Sequence, residues 1–383
     1  MSYMHPIITT HDFFSLSSHL NYQLSGEPVN WRAVLTLMNR DCFGQSDEGL
    51  IIETMVYLGE AYGQEKRVLG PFAVLHPIRA ASILSRASES TSTLDVLTTL
   101  LHDKNEDITE NKYTEETWQK LEGIYQGLIR KIDSIEKWYL NERIHFLTRH
   151  RNEPYIEYLS SLINQARATP ELVKVKLADR LDNTLDLRMD LYEDIPGVDC
   201  YQVIFESLFT DTYAGPLAKS PHHTERKING AVRLYELFKN AVFLSLLRHE
   251  HIELDEAAAR LFNSLAISSI NEAQNIMLHI FAFHMGDLQK QKAILMSVMD
   301  YCNRGGIRSI NLSGRHRLDG LFKNYFDFQI KEQLKIRLKE LYNEKELMAE
   351  AAIAFAVIFT NFLNDRTFTI KGITTDGIKP VAE

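Results

Sequence analysis

Apolar residues in this chain recur at three- and four-residue intervals almost from end to end, and the strict alternation of a half-buried strand is nearly absent. That regularity confines the fold to the all-α class, since a strand needs period two and a helix 3.6. The stretch SDEGLIIETMVYLGEAYG (46–63) opens with Ser46 in an N-cap position and acids in its first turn. Further helices are expected over 74–88, 93–108, 114–140, 153–166 and 170–187, the last entered through Thr169 as cap and Pro170 at the first helical position. Beyond 225 the periodic stretches lengthen, to 225–250, 254–286, 287–303 and 330–365. Turn-rich DIPGVD (194–199), AGPLAKSPHH (214–223) and the Gly/Ser/Arg-rich CNRGGIRSINLSGRHRLDG (302–320) read as loops.

At 383 residues there is material for one large domain or two. The expected division is an N-terminal extension (1–45), a helical core domain (46–245), a helical C-terminal region (246–365) and a mobile tail (366–383). A net charge of −9 argues against a general nucleic-acid coat. Cys42, Cys200 and Cys302 are odd in number and far apart, which gives neither a disulfide framework nor a thiolate metal site. The start, MSYMHPIITTHDFF, lacks the basic and apolar regions of a secretion signal. The longest apolar run, AAIAFAVIF (351–359), is too short to span a bilayer. A soluble cytoplasmic protein without a membrane partner is the expectation.

The chemistry concentrates at LHDKNEDI (101–108), where four ionisable side chains follow the apolar run VLTTLL (96–101). A buried carboxylate without a partner costs several kcal/mol, so charges placed here must be paired or bound to a metal. On a continuous helix His102 lies above Glu106, and Asp103 above Asp107. Imidazole and carboxylate together are a common ligand mixture for Mn²⁺, Fe²⁺ or Zn²⁺, but two ligands are too few. Two other segments can supply the rest: His76 in VLHPIRAA, and Asp179 in VKVKLADRLDN, an apolar helix that abruptly acquires Asp179, Asp182, Asn183 and Asp186.

Taken in order, His, then His-Asp, then Asp resembles the signature of the HD phosphohydrolases. H-D-x-x-E-D with an upstream L-H-P and a downstream K-L-A-D-R is similar to the hydrolase domain of the Rel/Spo alarmone enzymes and their small stand-alone relatives. HFLTRHRNEPYIEYLSSL (145–162) resembles the stand-alone members as well. The likeness covers about 46–190. It implies an all-α HD-type core and a single Mn²⁺, with Fe²⁺ or Co²⁺ as substitutes, held by His76, His102, Asp103 and Asp179. It implies removal of the 3′-pyrophosphate from guanosine tetra- or pentaphosphate, the alarmones of the stringent response. Glu106 and Asp107 match the acidic pair that orients and deprotonates the attacking water. Arg67 matches a base-stacking arginine, with Gly70 as a turn glycine after it. Asn183 matches a substrate-contacting asparagine, with Arg180 and Asp186 beside it as further substrate contacts.

The chain departs from the family at Val68, where a lysine is frequent, at Leu185, where longer members carry arginine, and at Asp182, which replaces a histidine or tyrosine. These departures keep other substrates open: an adenine alarmone, a deoxynucleotide or NADPH. A non-catalytic nucleotide sensor or scaffold is a further alternative, in which the C-terminal helices bind a partner or form a homo-oligomer. The remainder has no Gly-rich phosphate loop, so the synthesising domain of long Rel/Spo enzymes is not expected.

Overall fold

The computed structural model describes residues 6–38, 47–63, 65, 72–150, 153–186, 230–328 and 330–381. The expected cap Ser46, the residues Arg67, Val68 and Gly70, and the loops 194–199 and 214–223 lie outside the described residues. Helices dominate, and among the described residues the strands are two of two residues each, so the chain is all-α in class.

The chain divides into two compact units. The first takes in the described residues of 1–151, 161–186 and 252–265; the second takes in those of 152–160, 187–251 and 266–383.

The first unit begins with α1 (Thr10–Leu24) and α2 (Trp31–Leu37). The start of α1 is fixed by a capping box, in which Thr9 accepts from the Asp12 amide and Asp12 reaches back to the Thr9 amide. Next come α3 (Glu48–Tyr62), α4 (Leu75–Ala87), α5 (Thr93–Leu101) and a single turn, α6 (Lys104–Asp107). The unit continues with α7 (Glu115–Ile129), α8 (Ser134–Leu147), the second half of α9 (Tyr155–Ala166) and α10 (Glu171–Asp186). Where one helix was expected over 114–140 there are two, because Asp133 caps a new start by accepting from the Ile135 amide.

At the centre of the unit, α4 packs against α10 and α5, and every residue of it except Arg86 is buried. Its neighbours α10 and α5 also touch each other, so three helices meet around His76, His102 and Asp179. On the periphery α2 lies so close to α3 that a Cβ on Gly59 would come within 2.6 Å of the Trp31 ring.

The second unit holds α11 (Gly230–His249), the latter part of α12 (Glu256–His284), α13 (Leu288–Asn303), α14 (Lys331–Asn343) and α15 (Lys345–Asn364). The helix expected over 330–365 is divided at Glu344. Phe238, Phe322, Phe326, Phe355 and Phe359 stack into the core of this unit, with successive ring centroids 5.1 to 6.4 Å apart. The 302–320 loop winds around Asp319, whose carboxylate accepts from the Ser313 and Tyr301 hydroxyls and the Arg315 and His316 amides.

Two expectations are corrected here. The tail is anchored rather than mobile: β1 (Ile373–Thr374) pairs antiparallel with β2 (Gly377–Ile378). Phe368, Ile370, Ile373 and Ile378 are buried, and Ser245 Oγ accepts from the Ile370 amide. Spaced apolar side chains in 366–378 thus give the segment a core face of its own. The apolar run 351–359 belongs to α15, whose 20 residues make it long and apolar enough to cross a membrane by length and composition. Two-thirds of that apolar stretch is buried inside the protein, as in the core helix of a bundle.

Candidate metal centre

The sequence places His102 and Asp103 on an unbroken helix, but the helix breaks there. His102 retains α-helical dihedrals and Asp103 does not (φ −94°, ψ 4°). The cause is local. The Thr99 carbonyl, which would accept from the Asp103 amide in a continued helix, instead lies 2.7 Å from His102 Nδ1. Chain direction resumes with the Asp103 carbonyl accepting from the Glu106 and Asp107 amides. On a regular helix adjacent side chains diverge by about 100°. The break lets His102 and Asp103 converge, with Nε2 to Oδ2 at 3.1 Å.

The four residues expected to share an ion come together. His76 Nε2 is 3.2 Å from His102 Nε2, 3.3 Å from Asp103 Oδ2 and 3.3 Å from Asp179 Oδ1. His102 Nε2 is 3.7 Å from Asp179 Oδ1. Ligand atoms of His76, His102 and Asp103 all lie within 4.8 Å of one another. His76, His102 and Asp179 are buried, while the Asp103 side chain keeps 24% of its exposure and opens the group to solvent on one side.

Tautomers follow from the partners of the other ring nitrogens. His102 Nδ1 donates to the Thr99 carbonyl, and His76 Nδ1 donates to Asp182 Oδ2 at 2.6 Å. Both Nε2 lone pairs therefore point at the same place as the two carboxylates. Four acceptors facing one another repel unless something positive sits among them. Without an ion, a proton on His102 takes that place. Burial opposes a charged imidazole at His102, yet Asp103 and Asp179 hold its pKa well above 6.5. Burial would raise Asp103, but His102 and His76 hold it far below the ordinary carboxylate range. Asp179 is likewise lowered against its burial, first by Lys176, whose Nζ is 2.8 Å away.

The donor set fits a divalent ion. Two neutral imidazoles and two carboxylates balance a 2+ charge and suit Mn²⁺, Fe²⁺ or Co²⁺. Donors each about 2.1 Å from one ion, at right angles to one another, lie about 3 Å apart, close to the separations here.

Glu106 and Asp107 stand at the rim. Glu106 Oε1 accepts from the Arg149 amide at 2.6 Å, and its carboxyl reaches solvent although protein packs densely around it. Asp107 Oδ2 accepts from the Tyr62 hydroxyl at 2.9 Å. For both, burial and then the Asp103 charge raise the pKa above the ordinary value. Asn183 Nδ2 donates to Asp179 Oδ1 at 2.6 Å. Arg180 and Asp186 are buried, and Asp186 Oδ1 lies 2.9 Å from Arg79 Nη2. Arg67 lies outside the described residues.

Arg79 and the Asp182 contact were not anticipated as part of this group. A signal for them exists in the sequence: Arg79 follows His76 by three residues inside the otherwise apolar LHPIRAASIL. An arginine on the buried face of such a helix requires buried acids. No protein-family model matches the chain, and no curated protein matches it.

Proposed function

We propose that this protein is a divalent-metal-dependent phosphohydrolase of the HD type, and that its substrate is a (p)ppGpp-like alarmone from which it removes the 3′-pyrophosphate. The observation that carries the metal-dependent part is the convergence of two Nε2 lone pairs and two carboxylates on one point, at donor separations of 3.1 to 3.7 Å. The substrate follows from the order and spacing of L-H-P, H-D-x-x-E-D and K-L-A-D-R.

His76, His102, Asp103 and Asp179 hold the ion, with Mn²⁺ first and Fe²⁺ or Co²⁺ as substitutes. When bound, such an ion supplies a Lewis-acid charge that offsets phosphate charge and makes water more acidic. Glu106 and Asp107 take the proton from the water that attacks the phosphorus nearest the ribose 3′ oxygen. Their raised pKa values make them better proton acceptors than ordinary carboxylates near neutral pH. The Tyr62 hydroxyl and the Arg149 amide fix the orientation of the two groups. Asn183 donates to the inward oxygen of Asp179, Oδ1, and Lys176 holds the other, Oδ2. In this reading the protein is a soluble cytoplasmic enzyme acting on a small nucleotide.

The test is turnover by metal-stripped protein resupplied with Mn²⁺, offered ppGpp, ppApp, GTP, dGTP and NADPH, with Asp103→Ala alongside. GDP and pyrophosphate from ppGpp, absent in the variant, is the expected result. Turnover of another compound alone would move the substrate class and keep the chemistry. No turnover of any compound by Mn²⁺-loaded protein would overturn the reading.

A further inference from the structure

The organised charge does not end at the four donors. Behind His76, Asp182 Oδ2 lies 2.6 Å from Nδ1, and Asp182 has no exposure at all. Arg79 grips the same carboxylate with two bonds, Nε to Oδ1 at 2.8 Å and Nη2 to Oδ2 at 3.1 Å. Arg79 is itself fully buried, and its guanidinium is covered by α1. The Phe13 ring centroid is 4.8 Å from Cζ, and Ser17 Oγ accepts from Nη1 at 3.3 Å. Helix α1 lies outside the 46–190 stretch that carries the family likeness.

Stability gives no account of this arrangement, because apolar residues of similar volume commonly replace a buried ion pair at no loss. Its directed consequence is at His76. An ionised acceptor on Nδ1 keeps the proton there, leaves Nε2 with its lone pair, and fixes the ring plane. The two-pronged grip of Arg79 keeps that acceptor from rotating. The cover provided by α1 keeps water off the guanidinium, so its charge stays committed to the buried carboxylates of Asp182 and, through Nη2 at 2.9 Å, Asp186.

We propose that Asp182 is a positioning residue for the metal centre: clamped by Arg79 and sealed by α1, it aims His76 Nε2 at the ion. The proposal rests on the reading of the cluster as a metal site. It assigns α1 a part in the function of the core domain.

The experiment measures the Mn²⁺ dissociation constant of the full chain by competition with a chelating indicator, with Co²⁺ absorption as a second readout of the donor set. Three proteins are compared: wild type, Asp182→Asn and Asp95→Asn. Asp95 belongs to another buried acid–arginine pair of the same unit, with Arg143 Nη1 on Oδ1 at 2.8 Å and Lys174 on Oδ2, and its side chain has no donor residue among these partners. Both substitutions break a buried pair and lower the melting temperature. Only Asp182→Asn is expected to weaken Mn²⁺ by tenfold or more, the usual scale for an oriented ligand losing its partner, and to change the Co²⁺ spectrum. Equal losses in the two variants, or an Asp182→Asn affinity within about threefold of wild type, would overturn the positioning role while leaving the metal site standing. Wild type that binds neither ion would overturn the metal site and this proposal together. If Asp182→Asn does not fold, Arg79→Lys takes its place, because an ammonium cannot hold both oxygens as the guanidinium does. A several-fold weaker Mn²⁺ is then expected, and unchanged affinity overturns the proposal.

Discussion

Two groups of buried charge lie in the first unit, and they are built on opposite terms. Around Asp95, acids and bases alternate. Arg143 Nη1 meets Oδ1 at 2.8 Å, and Lys174 Nζ lies 3.4 Å from Oδ2. Lys174 continues to Asp255 at 3.2 Å, and Arg143 Nη2 continues to Glu171 at 3.5 Å. Each carboxylate there faces a cation of the chain itself. Around His76 and His102 the same helices turn two imidazole lone pairs and two carboxylates toward one point, with Glu106 and Asp107 at the rim. The first group is closed by its own members. In the second, Lys176 pairs with the outer oxygen of Asp179, and the inward-facing donors are completed only by a positive charge placed among them. Buried charge by itself is therefore no sign of function in this chain; the direction of the lone pairs is.

The sharpest way to break that comparison is to remove a donor. His102→Ala takes away one of the two Nε2 lone pairs, and we expect loss of Mn²⁺ binding and of turnover. Wild type at a free Mn²⁺ of 100 times its dissociation constant should gain about 2.7 kcal/mol of stability. The variant should show no such gain when melted with and without Mn²⁺. A variant that still gains stability from the ion would mean that the donors lie elsewhere. The closed network predicts the reverse pattern. Arg143→Met leaves Asp95 without its arginine in the core, and breaking a buried pair on one side costs about 3–5 kcal/mol. Chemical denaturation should register that loss while the Mn²⁺ affinity stays at the wild-type value. A large drop in affinity would show that the two groups are not separate.

Much of this was legible in the sequence, and the missing parts share a cause. Local periodicity and capping marked α3, α4, α10 and the long helices after 225. The order of short motifs on three helices was enough to bring His76, His102, Asp103 and Asp179 together. What was missed depends on partners far away in sequence or on competition at one carbonyl. The Arg79–Asp182 bond spans 103 residues, so the sequence shows Asp182 as an acid in an apolar helix without showing its partner. The break at residues 102–103 arises because an imidazole outcompetes an amide for the Thr99 carbonyl, which periodicity does not register. Helix α1 is a different case. Its Thr9–Asp12 capping box and the spacing of Phe13, Leu16, Leu20 and Leu24 were readable signals, and the division at residue 45 passed over them.

The finest contrast between the two groups is in titration. For Glu106 and Asp107, burial and the Asp103 charge both favour the protonated form, so their pKa values rise above 4.5 and 3.8. If they accept the proton from water, turnover requires the ionised form. It is then present above the raised values and fades as pH falls through them. A bound ion opposes that rise with its own charge, so the test is comparative: the acid limb of kcat/KM is set beside those of the rim and network variants. Glu106→Gln removes one acceptor, so kcat should fall and the acid limb should change. An Asp95→Asn profile should superimpose on that of the wild type, because the closed network has no part in the proton's path. Glu106→Gln and Asp107→Asn variants that both keep the wild-type kcat and acid limb would mean that neither rim carboxylate is the acceptor.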